Sequence, residues 1–287
     1  MLRFRYSTAA PAKSSYSYAS AIVALAATGG LTAAYFFWPS ESRAAPTYRH
    51  ESISPSHFTP VTLTASEDCG PNLKLLTLTI APESLPSSSQ SSAFWPIWSI
   101  FIKDDDIQVE RPYTPLEGMD DRGNIKLWVK KYLKGEVGRW LHSKQVGDTV
   151  EIRGPLPTFH AYADTWDEIV MISGGTGFSP FYQLLHHQLL QGGAKNKSTR
   201  FTLLHGSQNA AELPPPLFLQ PLLKLAERHP ERLRIRLFIV IPWFRSRKFF
   251  DRMIAAIAGP YGRNYSQGAV GGILGDLGFK SGQVWKL

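Results

Sequence analysis

The chain has 287 residues, enough for two ordinary domains and an additional segment, and a formal net charge of +8. Residues 1–56 contribute +3 and residues 231–287 contribute +7, whereas residues 57–230 sum to −2. No basic stripe therefore runs through the centre of the sequence, and nucleic-acid binding is not favoured. The single cysteine, Cys69, excludes an intramolecular disulfide and a cysteine-based metal site, and without a His-Glu-x-x-His motif we expect no metal.

The first 38 residues have the composition of a targeting segment followed by a membrane anchor. Residues 1–18 contain three basic residues and no acidic one among many Ser and Ala, which is typical of a mitochondrial transit peptide. Residues 19–38 are charge-free and long enough to cross a bilayer, so we predict a transmembrane helix there. A secretory signal peptide is the alternative. Positive charges precede the span, which predicts a mitochondrial inner-membrane protein with its bulk in the intermembrane space.

The next part of the chain predicts a linker and then a β domain. Residues 39–56 are rich in Pro and Ser and show no apolar periodicity, so we predict a linker. Residues 57–162 contain short alternating apolar runs, typical of a small β-barrel or sandwich, with a low-complexity insertion at 82–92 and a short helix at Gly138–Ser143. The predicted strands are Thr59–Ala65, Leu73–Ile80, Ile97–Lys103, Ile107–Glu110, Ile125–Lys130 and Thr149–Ile152.

Residues 163–287 change to strands that alternate with helices. This alternation predicts a parallel sheet with right-handed crossovers, as in half of a Rossmann-like domain. The predicted strands are Glu168–Ser173, Arg200–His205 and Leu233–Val240, and the predicted helices are Ser179–Leu190 and Pro216–His229.

The run Arg111-Pro112-Tyr113-Thr114-Pro115 has side chains suited to a flavin nucleotide. Tyr113 can offer a flat face, and Arg111 on the same side of a strand can bind phosphate oxygens with its forked guanidinium. Thr114 points to the opposite side and can offer a hydroxyl group. The alternative for this motif alone is an edge strand that ends in a turn.

Two glycine-containing segments are suited to phosphate groups. Lys134–Leu141 leads into a predicted helix start, where free backbone N–H groups favour an anion, although a plain loop is the alternative. Ile172–Pro180 (ISGGTGFSP) closes a buried strand and opens a helix, with Ser179 as the expected N-cap and Pro180 as the first helical residue. This run is not a Gly-x-Gly-x-x-Gly fingerprint, and a tight turn without a ligand is its alternative.

These motifs, in this order, resemble the ferredoxin–NADP reductase type flavoproteins and, among them, the NADH-cytochrome b5 reductases. Val129-Lys130-Lys131-Tyr132 and Gly147–Pro155 are also similar to segments of that family. The resemblance implies a Greek-key antiparallel FAD-binding β-barrel, an NAD(P)-binding α/β domain, and Thr114 as the catalytic residue. The implied FAD-binding residues are Arg111, Pro112, Tyr113, Thr114, Val129, Lys130, Gly135, Glu136, Val137 and Gly138, and the implied NAD(P)H-binding residues are Gly174, Gly175, Thr176, Gly177 and Pro180.

The resemblance implies an FAD-dependent oxidoreductase that passes electrons from NAD(P)H to a haem protein. The N-terminal segments and residues 102–115 are more similar to a fungal mitochondrial branch that supports haem attachment to cytochrome c. Cytochrome c or its haem lyase is therefore an expected partner. The alternative is a non-enzymatic FAD-binding assembly factor with a degenerate nicotinamide site.

The sequence departs from the family in two places. Gly138 stands where the family has Ser or Thr, so one side-chain bond to the pyrophosphate is lost while the backbone donors remain. Gly271–Gly278 and Gln283–Leu287 are similar to the lead-in to a C-terminal Cys-Gly-Pro segment that this sequence does not reach. We expect a truncated or misjoined gene model in which FAD binding survives better than hydride transfer. His205–Gln208 shows neither a clear acid nor an arginine cluster, so the choice between NADH and NADPH stays open.

Overall fold

The computed structural model describes residues 45–86, 97–105, 108–159, 166–191, 199–239 and 269–285. The predicted targeting segment and transmembrane helix, residues 1–38, lie outside the described residues, as does most of the predicted insertion at 82–92. Among the helices that are described, none is both long and apolar enough to cross a membrane.

The described part of the barrel domain contains six strands: β1 (Thr59–Gly70), β2 (Leu73–Thr79), β3 (Ile97–Lys103), β4 (Glu110–Tyr113), β5 (Asn124–Lys130) and β6 (Thr149–Phe159). These antiparallel strands form one sheet in the order β4–β3–β6–β1–β2–β5, which confirms the predicted β-barrel. Alternating residues of these strands, such as Leu76, Ile100 and Ile152, fill the interior. Because β4 and β5 stand at the two ends of the order, they border one gap in the sheet.

The prediction of a strand at Ile107–Glu110 is wrong, because β4 begins where that strand was expected to end. Gln108 and Val109 lie outside the strand, and the N–H group of Asp104 donates to the carbonyl of Val109 at 3.2 Å. Gln108 adopts a φ of +57°. Such a backbone conformation is uncommon for a residue other than glycine, and the surrounding sequence does not reveal it. The apolar residues around Gln108 therefore predicted a strand.

The second half of the predicted linker packs against the barrel. Ile53 is 4% exposed, and its N–H group donates to the carbonyl of Ser84 at 3.0 Å. The N–H group of Phe58 donates to the carbonyl of Pro46 at 2.7 Å, which closes a loop over the intervening residues. One buried isoleucine and a few backbone bonds hold this segment, so it lacks the periodicity that would reveal a packed element.

The α/β domain contains three parallel strands in the order β7–β8–β9 within the described residues, as the sequence predicted. Their buried face, with Met171, Leu203 and Leu233, packs with residues such as Phe218 of α3. The strands are β7 (Glu168–Gly174), β8 (Arg200–Ser207) and β9 (Leu233–Ile239). The helices are α1 of the barrel domain (Glu136–Ser143), α2 (Ser179–Leu185, continued by a wider turn at His186–Leu190) and α3 (Pro216–Arg228).

The segment Gly271–Gly278, which is similar to the family's C-terminal lead-in, contains a short helix, α4 (Gly272–Asp276). Gly278 has a φ of +83° and its N–H group donates to the carbonyl of Gly275 at 3.0 Å, so the chain turns there rather than extending. Trp285 follows, with its ring centroid 5.1 Å from that of Phe159 and 5.4 Å from that of Trp166. Aromatic packing thus holds the described C-terminal residues.

The two domains share one apolar cluster. The ring of Trp128 in β5 packs edge-on against Phe178 of the α/β domain, with ring centroids 6.2 Å apart. The N–H group of Trp98 in β3 donates to Oε1 of Gln183 in α2 at 2.8 Å, and both residues are buried. This shared packing defines the relative position of the β-barrel and the α/β domain.

Gly70, at the end of β1, approaches the turn at residues 210–212 closely. Its φ is +148°, and a Cβ atom at this position would lie 2.4 Å from the carbonyl oxygen of Ala211. We expect Gly70→Ala to lower the free energy of unfolding by about 2 kcal/mol, because the two backbones must separate. Gly147→Ala is the matched control, since Gly147 has a φ of +99° but an added Cβ meets nothing within 4 Å. Urea unfolding of both variants measures the difference, and equal losses would contradict the role of the contact.

Candidate functional site

Two residues of the predicted flavin motif meet the first turn of α1 at the gap between β4 and β5. In β4, Arg111 lies opposite Ile102 and Tyr113 opposite Ile100. Nη2 of Arg111 is 3.9 Å from Oε2 of Glu136, and both side chains are exposed. A Cβ atom on Gly138 would lie 3.8 Å from the hydroxyl of Tyr113.

Tyr113 presents a protonated hydroxyl at this gap. Its ring packs partly against the barrel core, and this burial raises the pKa of the phenol well above its usual range. The neighbouring Arg111 opposes the shift, but its effect is smaller than that of burial. The hydroxyl therefore remains a hydrogen-bond donor throughout the physiological pH range.

The start of α1 offers backbone N–H groups that no side chain caps. Gly135 is the N-cap residue and makes no side-chain hydrogen bond to the helix. The side chain of Val137 is 1% exposed and packs in the barrel core, so only its backbone faces a ligand. Because α1 has eight residues, its aligned peptide dipoles add a partial positive charge to these N–H groups. The predicted phosphate site at Gly135–Gly138 is therefore chemically suited to an anion.

The glycine at position 138 has a structural reason. A Cβ atom there would lie 3.0 Å from the carbonyl oxygen of Lys130, which is closer than most Cβ contacts in proteins. A serine or threonine at this position would require α1 and β5 to separate by a few tenths of an ångström. Glycine thus accompanies a close helix–strand contact.

Thr114, directly after β4, belongs to a row of hydroxyl groups that continues through β3 to β6. Its Oγ1 is 3.0 Å from Oγ of Ser99, which is 3.2 Å from Oγ1 of Thr158. Ser99 is 8% exposed and places Thr114 next to β3, beyond the end of the β3–β4 register. No motif in the sequence identified Ser99 or Thr158, although a lone serine within the apolar run IWSIFIK was a detectable signal.

Two other predicted FAD-binding residues point away from the gap. The side chain of Val129 is 1% exposed in the barrel core, and its carbonyl accepts a bond from Nε2 of His142 at 3.1 Å. The ammonium group of Lys130 is bonded to the carboxylate of Glu212 in the α/β domain, and both side chains are largely buried. Lys130 therefore joins the two domains. No local pattern identified Glu212, which lies 82 residues further along the chain.

On the predicted nicotinamide side, β7 ends at Gly174 and one 3₁₀ turn, Gly175–Phe178, leads to α2. Added Cβ atoms on Gly175 or Gly177 would meet nothing within 4 Å, so the turn borders open space. The carbonyl of Thr176 accepts a bond from the N–H group of Ser179, and Pro180 lies in the first turn of α2. The prediction that Ser179 caps the helix is wrong. Ser179 is already helical because the 3₁₀ turn runs directly into α2.

Phe178 anchors this glycine turn against the barrel. Its ring centroid lies 5.5 Å from that of Tyr182 and 5.4 Å from that of His205, in addition to the contact with Trp128 of β5. β5 also approaches α1 closely, because the carbonyl oxygen of Lys130 would lie 3.0 Å from a Cβ atom on Gly138. One strand therefore contacts both the α1 helix and the glycine turn, which places the two predicted sites beside the same element.

No cluster of three or more His, Cys, Asp or Glu residues suited to a metal ion occurs in the described parts of the chain. The side chains at the gap and at the glycine turn are instead suited to phosphate groups and aromatic rings.

Comparisons with known proteins agree with this geometry. The family model for the oxidoreductase FAD-binding domain matches residues 61–161, and the model for the oxidoreductase NAD-binding domain matches residues 171–247. Together they span more than half of the chain.

Curated relatives carry related names. NADH-cytochrome b5 reductase 2 of Aspergillus clavatus is 26% identical over 312 residues, covering 98% of this chain and 94% of the relative. NADH-cytochrome b5 reductase 2-A of Vanderwaltozyma polyspora is 28% identical over 212 residues, covering 65% of this chain and 70% of the relative.

Two solved structures show the same fold. The cytochrome b5 reductase domain of Ulva prolifera nitrate reductase has a TM-score of 0.53 at 25% identity, covering 66% of this chain and 76% of that one. The CS-b5R domains of human Ncb5or have a TM-score of 0.52 at 18% identity, covering 77% and 58%, which supports the fold alone.

Proposed function

Since the chain belongs to the FAD- and NAD-binding oxidoreductases of the ferredoxin–NADP reductase and cytochrome b5 reductase type, we propose that it passes electrons from NAD(P)H through FAD to a haem-protein acceptor. The observation that carries this proposal is the shared position of the two sites. The gap with Arg111 and Tyr113 and the glycine turn at Gly175–Phe178 both lie beside β5.

The residues at the gap fit a flavin dinucleotide. Arg111 has an exposed guanidinium group, and the carboxylate of Glu136, 3.9 Å away, stands where an anionic oxygen would pair with it. The uncapped N–H groups of α1 and the Tyr113 hydroxyl would bind the other phosphate oxygens. FAD, when bound, accepts a hydride from a nicotinamide and releases electrons singly to a haem.

The residues of this chain would supply orientation and hydrogen bonding. The Tyr113 ring would hold the flat cofactor against β4, and the Thr114 hydroxyl, positioned by Ser99, would offer a hydrogen bond at its reactive edge. The open space at Gly175 and Gly177 lets a nicotinamide nucleotide approach the backbone closely. Relatives named NADH-cytochrome b5 reductases support a haem protein as the acceptor.

Anaerobic titration of the purified full chain, in mild detergent, tests this function. We expect a yellow protein with one FAD per chain that NADH or NADPH bleaches, and that then reduces an added cytochrome. A colourless protein that takes up no FAD would overturn the proposal. A protein that binds FAD but is reduced by neither nicotinamide would instead support the non-enzymatic assembly factor.

Thr114→Val tests the role of the hydroxyl group. We expect FAD to remain bound and the rate of flavin reduction by NADH to fall about tenfold, since one hydrogen bond in the transition state contributes about 1.4 kcal/mol. Ser99→Ala, which removes only the neighbour of Thr114, should have a smaller effect. Stopped-flow absorbance of the flavin gives both rates, and an unchanged rate in Thr114→Val would contradict the assignment.

The cellular setting of this activity is also a proposal. The basic, acid-free residues 1–18 and the charge-free residues 19–38 support a single inner-membrane anchor, with the catalytic domains facing the intermembrane space. The same features support a role in haem attachment to cytochrome c. Protease protection in intact mitochondria and in mitochondria with a ruptured outer membrane tests the location. Cleavage of the catalytic domains before rupture would contradict it.

A further inference from the structure

A buried chain of hydrogen bonds joins the carboxyl ends of β7 and β8 to the turn that follows β8. His205 is fully buried, and its Nδ1 lies 2.8 Å from Oγ of Ser173. Its Nε2 lies 3.1 Å from Oγ of Ser207, which donates to the carbonyl of Glu212 at 3.1 Å. Neither the predicted motifs nor the proposed function assigns a role to His205.

The direction of each bond in this chain follows from the number of protons. Ser207 uses its only hydroxyl proton on the Glu212 carbonyl, so it accepts a bond from Nε2–H of His205. A neutral imidazole has one N–H group, and Nδ1 therefore accepts a bond from the hydroxyl of Ser173. Burial lowers the pKa of His205 to about 4, which keeps the ring neutral at physiological pH.

The residues at the two ends of this hydrogen-bond chain border the predicted nicotinamide site. Ser173 directly precedes Gly174 and the glycine turn, whereas Ser207 begins the segment that ends at Glu212. Both segments leave the carboxyl ends of neighbouring parallel strands, the edge where open α/β sheets bind nucleotides. The hydrogen bonds of His205 therefore join two backbone segments at this edge.

Further contacts surround this hydrogen-bond chain. The ring of Phe178, in the glycine turn, lies 5.4 Å from the imidazole. The carboxylate of Glu212 is bonded to Lys130 of the barrel, and its Oε1 accepts a bond from Nδ2 of Asn209 at 3.2 Å. The hydrogen-bond chain is thus packed against the glycine turn through Phe178 and connected to the barrel through Glu212.

We propose that His205 is a positioning residue for the nicotinamide dinucleotide. It holds the glycine turn and the Ser207–Glu212 segment at the separation that the dinucleotide requires. This inference rests on the proposed function and deepens it, because it adds a determinant of nucleotide affinity that does not touch the ligand.

His205→Leu in the full chain tests this role, since it removes both bonds of the imidazole while keeping an apolar side chain in the core. We expect the KM for NADH and the dissociation constant of ADP-ribose to rise about tenfold, with kcat within twofold and FAD content unchanged. Steady-state kinetics measure the KM and kcat, and calorimetry measures ADP-ribose binding without requiring turnover.

Conservative variants test the two hydrogen bonds of the His205 side chain separately. His205→Asn places an oxygen near the position of Nδ1 and keeps the bond to Ser173, whereas His205→Gln places a donor near Nε2 and keeps the bond to Ser207. Each should recover part of the lost affinity, and either variant serves as the test if the leucine variant does not fold. His57→Leu is the matched control. His57 is also buried and its ring nitrogens contact Ser56 and the carbonyl of Ser52, but it lies in the barrel domain.

The inference is overturned if His205→Leu binds ADP-ribose like the wild type, or if His57→Leu raises the KM for NADH equally. It is also overturned if kcat, FAD content and thermal stability all fall together in His205→Leu, which would mean a merely structural role. A wild-type protein that binds ADP-ribose but is not reduced by NADH would refute the proposed activity. In that case the affinities of the wild type and His205→Leu for ADP-ribose would still support or overturn the role of His205. A wild-type protein that binds no ADP-ribose would overturn both.

Discussion

Tyr113→Ala is expected to yield a colourless protein, with the dissociation constant of FAD raised at least about 100-fold. The substitution removes an aromatic face that would cover about 100 Å² of the cofactor, which corresponds to about 2.5 kcal/mol, and a hydroxyl bond that contributes about 1 kcal/mol. Together these losses exceed the 2.7 kcal/mol that correspond to about 100-fold in affinity. Absorbance of the purified protein and fluorescence titration with FAD measure the effect.

Two further variants separate the contributions of the ring and the hydroxyl. Tyr113→Phe keeps the ring and should weaken FAD binding only about fivefold, since it loses one hydrogen bond. Because Tyr113 also packs against the barrel core, circular dichroism must show that the alanine variant is folded. Tyr48→Ala is the matched control, since Tyr48 is 43% exposed and its ring packs against His57 at 5.0 Å. Stoichiometric FAD in Tyr113→Ala would contradict the assignment of this site.

Gly177→Val is expected to lower the efficiency of flavin reduction by NADH at least about 100-fold while FAD remains bound. Gly177 has neither a positive φ nor an atom within 4 Å of an added Cβ, so the fold itself does not require glycine there. If the open space is where the nicotinamide nucleotide approaches the backbone, a branched side chain displaces it. A displacement of about 1 Å at a reacting centre can reduce a rate about 100-fold.

Gly282→Val is the matched control for this variant. Gly282 also lacks a positive φ and has open space around an added Cβ, but it lies in the described C-terminal residues. Both variants should keep the melting temperature within a few degrees of the wild type. Anaerobic stopped-flow measurements at several NADH concentrations give the efficiency. Equal rates in Gly177→Val and the wild type would show that the nucleotide does not approach this turn.

The two expected losses concern different steps, FAD binding and flavin reduction, which makes them informative together. Tyr113→Ala should prevent the cofactor from binding, whereas Gly177→Val should leave a yellow protein that the nicotinamide reduces slowly. A protein in which both variants stay yellow and fully active would have its site elsewhere. The non-enzymatic assembly factor predicts a different pattern. Tyr113→Ala would lose FAD, whereas Gly177→Val would have no effect, because NADH would not reduce the flavin of the wild type either.

The periodicity of the sequence was sufficient for the type and order of most elements. Alternation of leucine and threonine in residues 73–79 predicted β2, and the short apolar run at residues 97–103 predicted β3, which is buried on both faces. The switch to alternating strands and helices predicted the parallel sheet, because parallel strands are joined by crossover connections that usually contain a helix. Where a local conformation was unusual, as at Gln108 with its positive φ, the pattern misplaced β4.

The sequence by itself determined the two-domain architecture and the order of the flavin and nucleotide motifs, since these depend on residues close together in the chain. Only the tertiary structure decided which distant groups meet. Lys130 pairs with Glu212, Thr114 with Ser99, and His205 with Ser173 of the neighbouring strand. Local propensities describe backbone conformation and burial, but such pairings arise when separate elements pack, so no short segment encodes them.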